Sequence, residues 1–182
     1  MKMKNIILMF MPIVFGFIFL IGGTSTAHAQ GDTQGDIDLE IYEQYIYYSD
    51  EEELSLFDVE AAIENGLNKD EARSLGLAFN SLSREYKEKP VNDIDTITTY
   101  SLNPTTYGNW CGKGQNGRTP IDNLDWACAR HDACYAQRGW GNSACDRIFV
   151  SELRAVKNNS TQWNRLSFFG KTYLNAAILL FS

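Results

Sequence analysis

Four cysteines, Cys111, Cys128, Cys134 and Cys145, lie in one short stretch of this 182-residue chain and are its whole cysteine complement. If the thiols are oxidised, no other feature constrains the fold as much. The N-terminus argues that they are. Lys2 and Lys4 precede an apolar run from Ile6 to Ile21, followed by Gly22-Gly23 and then Ala27-His28-Ala29. Basic residues, an apolar stretch and a small-x-small site form an export-signal pattern, with cleavage expected after Ala29 and a secreted product. The run is slightly short of the roughly 20 residues that span a bilayer, and an uncleaved anchor is the alternative. In an oxidising compartment four cysteines imply two disulfides, with three pairings open.

Charge divides the remainder. Gln30 to Asp95 holds 18 acidic and 5 basic residues, a balance of −13. From Thr96 onward there are 5 acidic and 9 basic residues, a balance of +4, and Lys2 and Lys4 complete the total of −7. A mildly basic half suits an anionic surface such as phospholipid, although a solvated surface accounts for charge alone. The expected organisation is a signal at 1–29, an acidic segment with two helices at 30–95, and the domain carrying the chemistry at 96–182. The charge opposition makes the acidic segment a candidate inhibitory pro-region or partner-binding arm.

Gln30 to about Glu53 reads as largely irregular. Leu56 to Asn65 reads as a helix, with Gly66 placed for a C-terminal cap. Asn68-Lys69-Asp70-Glu71 resembles a capping box opening a helix through about Glu88, with Leu75, Ala78, Phe79, Leu82 and Tyr86 as one apolar stripe. Val91 to Tyr107 reads as extended or irregular. Thr119-Pro120-Ile121-Asp122 starts a helix from Pro120 to about Gln137, with Thr119 as cap. Arg138 to Asn142 is a tight turn, a second helix runs from about Ser143 to Lys157, and a last one carries Trp163, Leu166, Phe169, Tyr173, Ala177 and Leu180. Short connections favour antiparallel neighbours. The expected class is all-α: an antiparallel helix pair with a glycine-rich loop and flanking helices. The tail from Ala176 to Phe181 is too short to span a bilayer and should bury against the core. Trp110, Trp126 and Trp140 suit either a lipid interface or the core.

The chemistry concentrates in Tyr107-Gly108-Asn109-Trp110-Cys111-Gly112-Lys113-Gly114 and Asp125-Trp126-Ala127-Cys128-Ala129-Arg130-His131-Asp132-Ala133-Cys134-Tyr135. His131 is the sole histidine beyond the signal, so a zinc site built on several histidines is excluded. No G-x-S-x-G elbow supports a Ser-His-Asp arrangement. A glycine loop beside a helical carboxylate favours a hard cation such as calcium, which takes carbonyl, carboxylate and water oxygens. Asp132 can add a bidentate carboxylate. Successive helical residues turn about 100°, so His131 and Asp132 share one side, with Tyr135 one turn beyond and Cys128 one turn before. If the helix hairpin forms, Cys134 and Cys145 can pair, and that pairing brings Asp146 toward His131. A carboxylate on one imidazole nitrogen fixes the tautomer and leaves the other nitrogen as base.

These two stretches resemble the secreted phospholipase A2 superfamily, whose loop reads Y-G-x-x-C-G-x-G and whose helix reads D-x-C-C-x-x-H-D-x-C-Y. The shorter all-helical prokaryotic and fungal members are the nearer in organisation. The resemblance runs from about Tyr107 to Ser151. It implies calcium held by the carbonyls of Trp110, Gly112 and Gly114 and by Asp132, with His131 as general base. It further implies that Asp146, in Cys145-Asp146-Arg147, orients His131 and bonds Tyr135, and that the Gly112 amide faces a developing oxyanion. The pairings expected from it are Cys111–Cys128 and Cys134–Cys145. Asn109 and Ala127 stand where animal enzymes carry cysteines, but their partners are missing too, so fewer disulfides follow and no orphan thiol. Ten residues separate Cys134 from Cys145, which leaves no space for the β-hairpin of animal members. The implied activity is calcium-dependent hydrolysis of the sn-2 ester of glycerophospholipids by a monomer at a membrane or micelle surface, with no nucleic-acid partner. A phospholipase-like module that binds membrane or protein without catalysis is the alternative.

Overall fold

The computed structural model describes residues 38–88, 106–112 and 116–182. The export-signal pattern, the Val91–Tyr107 stretch up to Thr105 and the loop residues Lys113 and Gly114 therefore lie outside the described residues. Residues 36–182 form one compact unit. Along the chain come α1 (Leu39–Glu43), β1 (Ile46–Ser49), β2 (Leu54–Phe57), α2 (Val59–Glu64), α3 (Lys69–Lys87), α4 (Asn123–Arg138), α5 (Ser143–Asn158), α6 (Ser160–Arg165) and α7 (Phe168–Phe181).

The unit is mostly helical, but the all-α expectation needs correcting. β1 and β2 form a two-stranded antiparallel sheet, in register from Ile46 opposite Phe57 to Ser49 opposite Leu54. The acidic run Asp50–Glu53, which argued for an irregular segment, is the turn of this hairpin. Ser49 Oγ accepts from the Glu52 amide there, and Glu53 takes a positive φ of 50°. Aromatic and β-branched residues in β1 suit a pleated, half-buried surface. Leu54 and Leu56 are buried on β2. The helix expected from Leu56 accordingly begins only at Val59, capped by Asp58, whose carboxylate accepts from the Ala61 amide at 2.9 Å.

Helix α3 is the central strut. Its N-cap Asn68 accepts from the Asp70 and Glu71 amides. Leu75, Ala78, Phe79 and Leu82 are buried along one stripe, as their spacing predicts. Full burial of each large side chain contributes roughly 1.5–3 kcal/mol. The stripe packs on β2 and α7. Asn80 also clamps β2, accepting from the Phe57 amide at 2.6 Å and donating to the Phe57 carbonyl at 3.1 Å.

Helices α4 and α5 pack against each other. The pairs Cys134/Cys145, His131/Asp146 and Arg130/Glu152 match falling positions on α4 with rising ones on α5, the antiparallel sense. Helix α4 starts at Asn123, three residues later than Pro120, and its cap is Asp122, whose carboxylate takes the Asp125 amide at 3.0 Å. Thr119 instead gives its carbonyl to Asn109 Nδ2. The expected last helix is broken in two at Leu166 and Ser167, because Ser167 caps α7 by accepting from the Gly170 amide. Ala176 to Leu179 are buried in the core. Among the described residues no helix is long and apolar enough to cross a membrane.

Candidate active site

Two covalent links frame the site. Cys111 bonds Cys128, fastening the glycine-rich loop to α4, and Cys134 bonds Cys145, fastening α4 to α5. Between them on α4 lie His131 and Asp132, with Tyr135 directly after Cys134; the three are adjacent or three or four residues apart and therefore on one side of the helix.

The hairpin geometry brings Asp146 on α5 to within 3.0 Å of the imidazole, Oδ1 against His131 Nε2. The same oxygen accepts from the Tyr135 hydroxyl. With Nε2–H donating to the carboxylate, Nδ1 is the nitrogen left unprotonated. The ring is held in place from several directions. Phe149 stacks on it at 4.2 Å and 6°, Tyr135 lies at 4.2 Å, and Phe181 at the end of α7 meets it edge-on at 5.2 Å. Burial lowers the imidazole pKa from its usual value, and the Asp146 hydrogen bond opposes that shift. Near pH 7 His131 is therefore neutral and able to accept a proton.

Asp132, next along the helix, has its carboxyl pushed up to about 7 by burial alone. A carboxylate taken out of water with no cation to offset the loss is costly to ionise. Tyr173 on α7 lies between this carboxyl and the loop. Its hydroxyl is pushed up by burial first and by the Asp132 charge next, and it receives a hydrogen bond from the Gly112 backbone. Gly112 has a φ of 82°, a conformation that L side chains rarely adopt. Trp110 is half-buried, its indole Nε1 donating to the Arg118 carbonyl at 2.6 Å. Gly114 lies outside the described residues. Trp126 and Trp140 are 44% and 37% exposed.

Asp125 is the main residue that the sequence reading left without a role. It is wholly buried and gathers three backbone amides: Oδ1 accepts from Trp110 at 2.8 Å, and Oδ2 from Asn109 and Ile121, both at 2.9 Å. Multiple amide donors are what a buried carboxylate needs. The loop backbone is thereby tied to the first turn of α4. Gly108, at φ 63°, lies so close that a Cβ there would collide with this carboxylate. In sequence Asp125 looks like an ordinary first-turn acid, three residues after the cap. The signal that could have found it is its place six residues before His131 on the same helix. Phe149, Phe181 and Tyr86 are likewise site neighbours that periodicity assigns simply to the core.

A family model described as phospholipase A2 matches residues 89–168. The acidic phospholipase A2 homolog taipoxin gamma chain of Oxyuranus scutellatus scutellatus is 52% identical over 42 residues, covering 23% of this chain and 26% of that one. Phospholipase A2 A2-hormotoxin-Apt1a of Adamsia palliata is 55% identical over 29 residues, 16% of this chain and 18% of that one. The chain thus spans about a quarter or less of the length of these relatives. No solved structure matches the chain. The family match runs through the segment in which the helix hairpin gathers His131, Asp132 and Asp146, and over that segment the chain is similar to phospholipase A2.

Proposed function

We propose that the protein is a secreted, calcium-dependent phospholipase A2. It hydrolyses the sn-2 ester of glycerophospholipids at a membrane or micelle surface, releasing a fatty acid and a lysophospholipid. The observation that carries this reading is the contact of buried His131 with half-buried Asp146, beside a second half-buried carboxyl, Asp132.

The residues fit a hard cation. Among the described residues no three His, Cys, Asp or Glu side chains cluster as a metal site, so a cation at Asp132 would draw its other ligands from oxygens of the backbone and water. Trp110, Gly112 and Gly114 would give carbonyls, and Asp132 its carboxylate, whose raised pKa is what a missing positive charge would relieve. Calcium, when bound, supplies positive charge for the phosphate and the ester carbonyl.

His131 Nδ1 takes a proton from the water that attacks the ester carbon, and later returns it to the departing glycerol oxygen. Asp146 holds the ring and stabilises the imidazolium, while Tyr135 holds Asp146. The Gly112 amide is the candidate donor to the developing oxyanion, an interaction that can contribute roughly 3–4 kcal/mol. Its present partner is Tyr173, so this role requires the amide to exchange that hydroxyl for substrate. The proposed organisation is an export signal at 1–29, an accessory segment at 30–95 and the catalytic domain at 96–182, acting as a monomer.

The test is fatty-acid release from mixed phospholipid vesicles, expected with calcium and abolished by chelator. Vesicle binding without release at any calcium concentration would refute the reading in favour of a non-catalytic module.

A further inference from the structure

Asn109 and Asn116 stand on either side of Cys111 and Gly112, seven residues apart, and bind each other twice. The Asn116 amide donates to the Asn109 carbonyl at 3.1 Å, and Asn116 Nδ2 donates to Asn109 Oδ1 at 2.8 Å. The other polar groups of Asn109 are committed elsewhere: its Nδ2 donates to the Thr119 carbonyl at 2.8 Å and its amide to Asp125 at 2.9 Å. Asn116 Oδ1 accepts from the Arg118 amide at 3.0 Å, and Trp110 Nε1 donates to the Arg118 carbonyl. These backbone partners fix which end of each side-chain amide is oxygen, since a carbonyl faces Asn109 Nδ2 and an N–H faces Asn116 Oδ1. The arm that carries Asn109 and Trp110 is therefore stitched to residues 116–119. Trp110 is also held from both of its peptide planes. Its own amide goes to Asp125, and the Cys111 amide donates to the Tyr107 carbonyl at 3.2 Å, which by peptide planarity sets the direction of the Trp110 carbonyl.

We infer that Asn109 and Asn116 form a clasp that preorganises the glycine-rich loop and so sets how tightly its cation is held. The inference deepens the calcium-dependent reading and rests on it. Glycine-rich backbone has much conformational freedom to lose, and a cation that takes carbonyls from it must order them at an entropic cost. A loop closed beforehand by its own hydrogen bonds has less left to order. Each side-chain oxygen of the clasp already accepts a hydrogen bond, so both asparagines are positioning residues that act on the loop and not on the ion.

The experiment is a calcium titration of the full chain by calorimetry, with Asn109→Ala, Asn116→Ala, the pair and a control, Asn65→Ala. Asn65 is an exposed amide at the end of α2 whose Nδ2 donates to the Ala61 carbonyl at 2.8 Å, so the control loses the same kind of bond away from the loop. Amide hydrogen exchange at Asn116 is followed in the calcium-free protein. Asn116→Ala should weaken calcium binding about three- to tenfold and Asn109→Ala about tenfold or more, as expected for one or two net hydrogen bonds. The pair should lose less than the product of the two, because they share a bond. Exchange at the Asn116 amide should quicken in Asn109→Ala, while the calcium-free melting temperature of each single variant stays within about 3 °C of the parent. Asn65→Ala should keep calcium affinity within about twofold. Unchanged affinity in Asn109→Ala or Asn116→Ala, a loss matched by Asn65→Ala, or losses that multiply in full would overturn the inference while the calcium reading stood. A parent that takes up no calcium would end both, so titration of the parent tells the two failures apart.

Discussion

The two halves of the unit are held together by opposite means. From α1 to α3 the chain uses apolar burial: Phe57, Phe79, Leu75 and Tyr42 fill a core, and ionic contacts such as Arg84 with Glu52 stay at the surface. The α4–α5 half uses two disulfides and buries Asp125 and His131, with Asp132 and Asp146 mostly covered. Buried polar groups are a costly way to stabilise a fold, and here they collect where proton transfer and cation binding are proposed. The halves should therefore fail differently.

His131→Gln should give the largest contrast. Turnover should fall by at least about 10³-fold while the melting temperature stays near the parent value, checked by fatty-acid release and calorimetry. Phe79→Ala should do the converse, costing roughly 3–5 kcal/mol in urea unfolding while the calcium affinity of the folded fraction is unchanged. Lost calcium affinity in folded Phe79→Ala would show that the halves are not separable in this way.

Gly108→Ala addresses the loop. It places a methyl group against Asp125 at a positive φ, so calcium affinity by calorimetry should drop about tenfold or more, with a loss of about 1–3 kcal/mol in stability. Protons should sharpen the picture further. The Asp132 carboxyl is raised in the folded state, to about 7 from 3.8, so its protonated form favours folding below about pH 4 and that advantage is lost as pH rises through 7. A cation needs the ionised form. The gain in melting temperature on adding calcium should thus be several degrees larger at pH 8 than at pH 5, about 5 °C as an order of magnitude. An equal gain at both pH values would argue against Asp132 as ligand. At the weak end, Glu52→Gln should leave turnover unchanged and the melting temperature within about 2 °C, since both partners of its ion pair are exposed.

The helix hairpin, the α3 stripe and the cap at Asn68 were legible because each is a local signal of period or spacing. The small sheet was not, since its turn is a run of four acids whose charge outweighed the flanking aromatic and β-branched pattern. The start of α4 was misplaced for a related reason. Thr119 and Pro120 have the right local chemistry, but the Ile121 amide is drawn to Asp125, a contact made only once the turn is folded. Of the site, the residues adjacent along the helix could be read from the sequence. Tyr86, Phe149 and Phe181 could not, because aromatic residues at helical intervals look the same whether they flank an imidazole or another leucine.

Both cross-links leave α4 within one turn of His131, Cys128 three residues before it and Cys134 three after. Both fastenings of the pair therefore depend on the redox environment. A chain held among reducing thiols would lack the fastenings that bring loop and carboxylate to the imidazole, and the proposed hydrolysis would fail with them. The proposed export would then arm the molecule as well as deliver it.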